Sequence, residues 1–182
     1  MQILLPKIEP TQPLPRYVFF LLGPIKGGGA WQVTACDELQ KQMGETEFAV
    51  VVPCRWPSHH ELSRHFLPGE VKYERQVQWE RKYLECVAFN SSGCIIGWLP
   101  TEDPINPRSD GQPYARDTYG ELGEWRGRLM YDFDLRFVLG AHPDFPGLDV
   151  IRANFNYALH GRFEISDTLE ATITRAVIMA TE

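Results

Sequence analysis

The sequence predicts an α/β fold with a doubly wound, mainly parallel sheet and helices on both of its faces. Two observations lead to this prediction. Apolar runs such as residues 17–22 are continuous rather than alternating, which is typical of strands buried on both faces of a parallel sheet. Segments of helical composition separate these runs, and regular alternation of strands with helices indicates this architecture.

The predicted elements follow one another from residue 17 onward. Strands are expected at residues 17–22, 48–53, 94–100 and 136–141, in a complete sheet of about five strands. Helices are expected at residues 30–43, 74–89, 118–131 and 169–179. Two loops, at residues 54–73 and 101–116, each follow a predicted strand. Because ligands of open α/β sheets bind beyond the carboxyl ends of strands, these loops are expected to border a binding site.

Length and charge narrow the classes of function. The chain has 182 residues, which predicts a single domain at residues 17–182 after a Pro-rich lead at residues 1–16. The lead is expected to be extended and to pack late or not at all. Lys and Arg total 18 against 24 Asp and Glu, and the formal net charge of −6 argues against nucleic-acid binding.

Cysteine usage and hydropathy indicate a cytoplasmic protein. Cys36, Cys86 and Cys94 lie in or beside apolar stretches, as does Cys54, and no C-x-x-C spacing occurs, so reduced thiols are expected. Apolar runs are too short for a secretory leader or a membrane span, and no membrane association is expected. The nearby histidines match no metal motif and predict a polar loop without a metal; they are His59, His60 and His65.

A glycine-rich segment at residues 23–30, Gly-Pro-Ile-Lys-Gly-Gly-Gly-Ala, joins the first strand to its helix. Glycines allow the backbone to approach a ligand closely, and a helix N-terminus offers N–H groups to an anion. The segment matches neither a P-loop nor a dinucleotide-binding fingerprint. A ligand loop and a plain strand-to-helix turn are therefore the two interpretations.

An acidic face is predicted on the helix that contains Asp117, Glu121 and Glu124. Catalysis is one interpretation of these carboxylates. The other is a capping box, Thr118-x-x-Glu121, with acids that complement the helix dipole. Three glycines form a neighbouring stripe, and each costs about 1 kcal/mol relative to Ala, which predicts close approach of a neighbouring element or a ligand; they are Gly120, Gly123 and Gly127.

Six short motifs occur in a defined order along the chain. They are Phe-Phe-Leu-Leu-Gly-Pro-Ile at 19–25, Trp-Gln at 31–32, Trp-Glu at 79–80, Ile-Ile-Gly-Trp-Leu-Pro at 95–100, Tyr-Gly-Glu-Leu-Gly-Glu-Trp at 119–125 and Val-Leu-Gly-Ala-His-Pro at 138–143. The ordered set, from about residue 17 to 177, resembles the nucleoside 2-deoxyribosyltransferase-like superfamily, in its divergent branch of short bacterial and phage proteins. The resemblance implies a flavodoxin-like, Rossmann-like fold.

The resemblance also implies a reaction. In that family, the glutamate of an E-[LI]-G element attacks C1′ of the sugar, expels the base and holds a glycosyl ester, and Glu121 matches it. An N-glycosyl transferase or hydrolase of a (deoxy)nucleoside or nucleotide is implied, without cofactor or metal. The helix N-terminus is expected to keep Glu121 ionised. The alternatives are a hydrolase of a nucleotide such as NAD and a non-catalytic nucleotide-sensing module.

Further site residues are implied by the same resemblance. The carboxylate that handles the base is Asp117 or Asp103, and Asp117 is preferred because it shares the helix face of the nucleophile. Aromatic side chains are expected to sandwich the base; the candidates are Trp31, Trp98 and Tyr119.

A final group of expected site residues lies elsewhere in the chain. An Asn from a neighbouring subunit completes the pocket in the family, so Asn154 and Asn156 are candidates and a homo-oligomer is expected. Gly23 and Lys26 are expected to contact substrate from the glycine-rich segment, and Lys26 suits a 5′-phosphate. Glu124, one turn after the nucleophile, is the next catalytic candidate.

Overall fold

Within residues 1–89 and 92–182, which a computed structural model describes, the chain forms eight strands and five α-helices. The strands are β1 (Gln2–Leu4), β2 (Ile8–Pro10), β3 (Tyr17–Leu22), β4 (Phe48–Val51), β5 (Gly69–Val71), β6 (Gly93–Leu99), β7 (Phe137–Ala141) and β8 (Ile165–Ser166). The helices are α1 (Trp31–Met43), α2 (Gln76–Ala88), α3 (Arg116–Tyr131), α4 (Leu148–Ala158) and α5 (Leu169–Thr181).

The predicted α/β fold is confirmed. In the described part of the chain, six strands form one parallel sheet in the order β1-β4-β3-β6-β7-β8, a doubly wound, flavodoxin-like arrangement. A small antiparallel ribbon of β2 and β5 lies outside this sheet. No helix in the described ranges is both long and apolar enough to cross a membrane.

Alternate residues of each strand enter two separate cores, because successive side chains of a strand point to opposite faces. On β3, Phe20 and Leu22 pack in the core that includes α2, α3 and α4. Phe19 and Leu21 pack in the core that includes α1 and α5. The continuous apolar run that predicts this strand is thus explained by burial on both faces.

The expectation that the lead packs late or not at all is wrong for its first residues. Ile3 and Leu4 have no exposed surface, and β1 pairs in parallel with β4 at the sheet edge. Farther along the lead, the carbonyl of Ile8 on β2 accepts a hydrogen bond of 3.1 Å from the indole N–H of Trp79 on α2. The apolar run at residues 3–5 is short, but three residues are enough for an edge strand.

The order of the strands reverses at β3. From β3 the chain crosses first to β4 on one side and then, through α2, to β6 on the other side. The carboxyl ends of strands beside such a reversal form a crevice where ligands bind in open α/β sheets. The glycine-rich segment, the loop after β4 and the loop between β6 and α3 all begin at this edge.

Candidate active site

A cavity of about 1010 Å³ opens at the carboxyl ends of β3 and β4. Its walls are residues 20–26 at the end of β3, residues 53–55 after β4, the first two turns of α2, Arg108 in the loop after β6, and residues 115–118 with Gly120 and Glu121 at the start of α3. Glu121, Asp117, Gly23 and Lys26, four of the residues expected at the site from sequence, line it together. The cavity is therefore the candidate active site.

Two tryptophans contact the start of the glycine-rich segment and fix its backbone. A Cβ atom on Gly23 would lie 2.2 Å from the carbonyl oxygen of Trp98, so only glycine fits there. The indole N–H of Trp31 donates a hydrogen bond of 2.8 Å to the carbonyl of Pro24. Both indoles are buried and neither lines the cavity, so the structure does not bring Trp31 and Trp98 to the position of a base sandwich.

Asp103 organises the loop that follows β6. Its carboxylate accepts hydrogen bonds from the backbone N–H of Ile105 at 2.9 Å and from the side chain of Asn106 at 3.4 Å. The hydrogen bond from Ile105 is the main reason why the pKa of Asp103 is lowered. Its own N–H donates to the carbonyl of Gly27 at 2.7 Å, which ties this loop to the glycine-rich segment. Asp103 does not line the cavity.

Helix α3 begins earlier than the sequence predicts, and this removes the capping box. Its first residue is Arg116, and the preceding residue, Ala115, has a left-handed backbone with φ of 56° and no side-chain cap. Thr118 is 4% exposed and makes no capping hydrogen bond. The interpretation of Thr118 and Glu121 as a capping box is therefore wrong, because Glu121 lies in the second turn of the helix.

The carboxyl group of Glu121 is half-buried and lines the cavity. Among the residues that the structure describes, no group donates a hydrogen bond to it. Burial, the nearby Glu80 and Asp117 raise its pKa to about 7, and Arg81 opposes this rise. The expectation that the helix N-terminus keeps Glu121 ionised is wrong, since burial of an unpartnered carboxylate outweighs the dipole at this depth in the helix.

Glu80 is a site residue that the sequence reasoning did not single out. It lies on α2, lines the same cavity and accepts a hydrogen bond of 2.7 Å from the amide of Gln76, which also donates to the carbonyl of Pro53 at 3.0 Å. Burial raises its pKa, and the Gln76 amide lowers it. The only feature of the sequence that could have indicated Glu80 as a site residue is the Trp79-Glu80 pair, in which the glutamate follows a tryptophan that is fully buried.

The other acids of α3 have cationic partners. Asp117, with 81% of its side chain exposed, lies 3.8 Å from the guanidinium of Arg108. Glu124 forms ion pairs with Arg81 and, at 2.9 Å, with Arg128, and the hydrogen bond from Arg81 lowers its pKa. Glu124 does not line the cavity. The structure thus places Asp117 beside Glu121 and directs Glu124 elsewhere.

A second, smaller cavity of about 420 Å³ lies between α3 and α4. Tyr119 and Asn154 line it, and the Tyr119 hydroxyl donates a hydrogen bond of 2.8 Å to the carbonyl of Pro146. Asn156 is exposed and lines neither cavity. Within one chain, these three residues do not meet Glu121.

The glycine stripe of α3 has no protein neighbour in the described part of the chain. A Cβ atom on any of its members would meet nothing within 4 Å; the members are Gly120, Gly123 and Gly127. Close packing against another element of this chain therefore does not explain the stripe. Gly120 opens onto the large cavity and Gly123 onto the small one.

The histidine loop is organised by local contacts. His60 Nδ1 accepts a hydrogen bond of 3.1 Å from the N–H of Leu62, and the His60 ring stacks on Trp56 with 4.8 Å between centroids. His65 accepts a hydrogen bond of 3.1 Å from Arg64. In residues 1–89 and 92–182, no group of three His, Cys, Asp or Glu side chains is placed to hold a metal ion.

Two carboxyl groups with raised pKa values in one cavity are suited to nucleophilic and acid–base chemistry.

In comparisons with known proteins, no family model and no curated protein matches the chain. The function must therefore be inferred from the site itself.

Proposed function

We propose that the protein cleaves the N-glycosidic bond of a nucleoside or nucleotide, with Glu121 as the nucleophile. The carboxyl group of Glu121 lines the large cavity without a hydrogen-bond donor from the described residues, and this observation carries the proposal. A carboxylate that no protein donor holds is free to attack the C1′ atom of a bound sugar. Glu80 supplies a second carboxyl group in the same cavity, as glycoside hydrolysis requires.

Glu80 and Glu121 are proposed to share one proton in the reactive form of the site. Burial and mutual repulsion disfavour two negative charges in the same cavity. In the free protein, the Gln76 amide stabilises ionised Glu80, so the proton favours Glu121. Positive charge that develops at C1′ in the transition state favours the ionised form of Glu121, so the shared proton is then bound to Glu80.

The proposed reaction has two steps. The Glu121 carboxylate attacks C1′, the bond from C1′ to the base breaks, and the base takes the bond's electron pair together with the proton of Glu80. Water then attacks C1′, the Glu80 carboxylate accepts a proton from it, and the ester bond breaks to restore the Glu121 carboxylate. If a second base replaces water in this step, the product is a new nucleoside and the reaction is a transfer.

Asp117 is proposed to assist rather than to donate the proton. Its side chain is 81% exposed and faces Arg108, whereas Glu80 is held by Gln76 and its pKa is raised by burial. A carboxyl group with a raised pKa is the better proton donor near neutral pH. Asp117 contributes negative charge beside the developing positive charge of the sugar.

The experiment that tests the proposal is incubation with deoxynucleosides, ribonucleosides, their 5′-monophosphates and NAD, followed by chromatography of the released base. We expect base release from at least one compound, loss of release in Glu121→Gln, and retention in Glu85→Gln. Glu85 is an exposed acid on α2 that lies outside the cavity and serves as the matched control. Binding of a nucleotide with no release of base would instead identify a sensing module.

A further inference from the structure

We infer that the large cavity binds a phosphate group on the sugar of its substrate, and that a nucleotide rather than a nucleoside is the true substrate. This inference rests on the proposed function and narrows its substrate class. Five of the chain's 18 Lys and Arg residues line the cavity, against three of its 24 Asp and Glu residues. The five are Lys26, Arg55, Arg81, Arg108 and Arg116.

The side chains that line the cavity have a positive formal net charge, opposite in sign to that of the whole chain. The chain has a formal net charge of −6, so basic residues are enriched at the cavity relative to the rest of the chain. Two of the three lining acids, Glu80 and Glu121, are acids whose pKa values are raised, which reduces the negative charge that faces the basic residues. A phosphate ester carries the charge that complements these cations, whereas a neutral nucleoside carries none.

Two of the cations are fixed in place by one carboxylate. Asp110 accepts hydrogen bonds of 2.7 Å from both Lys26 and Arg108. The Arg108 side chain is only 8% exposed, and it also donates to the carbonyl of Pro113 at 3.2 Å. These contacts hold the buried Arg108 guanidinium and the Lys26 ammonium at the cavity wall before an anion binds, which reduces the conformational entropy lost on binding.

The other arginines differ in whether a carboxylate neutralises them. Arg81 forms an ion pair with Glu124. Within the described part of the chain, the Arg55 side chain makes no hydrogen bond or ion pair, and the Arg116 side chain bonds only the amide oxygen of Gln112. Arg55 and Arg116 are therefore the lining arginines that no carboxylate of the described residues neutralises, and the planar fork of arginine matches a phosphate group.

A phosphate ester on the sugar occurs in nucleoside monophosphates and in dinucleotides such as NAD, and the test separates them. Base release is measured for a nucleoside, its 5′-monophosphate and NAD, with the wild type and with Arg55→Gln and Arg116→Gln. Arg126→Gln on α3 is the matched control, because Arg126 lines the smaller cavity instead. We expect kcat/KM for a phosphorylated substrate to exceed that for the nucleoside, and each variant to reduce this preference by about 10- to 100-fold.

Binding of a nucleotide to the Glu121→Gln protein tests the phosphate site independently of the proposed reaction. Calorimetry with the 5′-monophosphate should show binding that weakens with added salt and is about 10- to 100-fold weaker in a variant that combines Arg116→Gln with Glu121→Gln. Such binding without any turnover by the wild type supports the phosphate site and contradicts the proposed reaction. Equal kcat/KM for nucleoside and nucleotide, or a preference that the arginine variants leave unchanged, overturns the phosphate site and leaves the reaction standing.

Discussion

Glu80 on α2 is, after burial itself, the largest influence that raises the pKa of Glu121 on α3. The two carboxyl groups come from different helices and line one cavity, where the charge of Glu80 disfavours ionisation of Glu121. The pair differs in its contacts, since Gln76 bonds Glu80 at 2.7 Å and no described residue donates to Glu121. This asymmetry is the basis of the separate roles proposed for two residues of the same type.

Glu80→Gln is expected to lower kcat/KM by about 10²- to 10⁴-fold, because an amide cannot give its proton to the leaving base. For the wild type, a bell-shaped pH profile of kcat/KM is expected, with the alkaline limb near pH 7, where the pair loses its last proton. In Glu80→Gln that limb should disappear. A variant that keeps the wild-type rate and profile would show that Glu80 takes no part in proton transfer.

Glu121→Gln is expected to stabilise the protein above neutral pH. The folded-state pKa of Glu121 is about 7 and its ordinary value is 4.5, so the folded wild type binds the extra proton and loses stability as pH rises between these values. At pH 8 the variant should gain up to about 3 kcal/mol in free energy of unfolding, and at pH 4 the gain should vanish. Urea titrations at both pH values measure this. Equal stability of the two proteins at pH 8 would contradict the burial of an unpartnered carboxylate.

Thr118→Val is expected to lower the free energy of unfolding by less than about 0.5 kcal/mol, because the buried Thr118 hydroxyl makes no capping bond that could be lost. Thr168→Val is the matched control. Its hydroxyl caps α5 by accepting a hydrogen bond of 3.1 Å from the N–H of Ala171, and its loss should cost about 0.5–2 kcal/mol. Thermal or urea unfolding of both variants distinguishes them. A larger loss for Thr118 than for Thr168 would restore the capping box.

Alanine at the glycine stripe is expected to separate stability from activity. Gly120→Ala and Gly127→Ala should each raise the free energy of unfolding by about 0.5–1 kcal/mol, because a helical Cβ meets no neighbour at either position. Gly120 lines the large cavity and Gly127 lines neither, so only Gly120→Ala should lower kcat/KM. Equal kcat/KM for the two variants would show that substrate does not approach this side of α3.

The fold was predictable because the central strands of the sheet are continuous apolar runs, and such runs indicate burial on both faces. Tyr17–Leu22 and Phe48–Val51 are apolar on both faces and are flanked by turn residues and helices. Gln2–Leu4 is too short to distinguish from a loop, although its pairing with β4 fixes it at the sheet edge. The sequence prediction missed Leu148–Ala158, although its buried residues Leu148, Ile151 and Phe155 recur at helical spacing.

The site was predictable only where its residues share one element. Asp117 and Glu121 are four apart on one helix, so the sequence places them together. The approach of Glu80 to Glu121 depends on how α2 and α3 pack, and periodicity within one helix does not contain that information. Trp31 and Trp98 illustrate the reverse error, because a tryptophan that supports a loop from below has the same sequence signature as one that stacks on a ligand.

The assignment of Glu121 as the nucleophile is tested most directly by the rate at which Glu121→Gln releases free base. The amide keeps the shape of the side chain but cannot form a glycosyl ester. With the melting temperature at pH 7 no lower than that of the wild type, base release should fall by about 10³-fold or more. Base release by this variant at close to the wild-type rate would contradict the account.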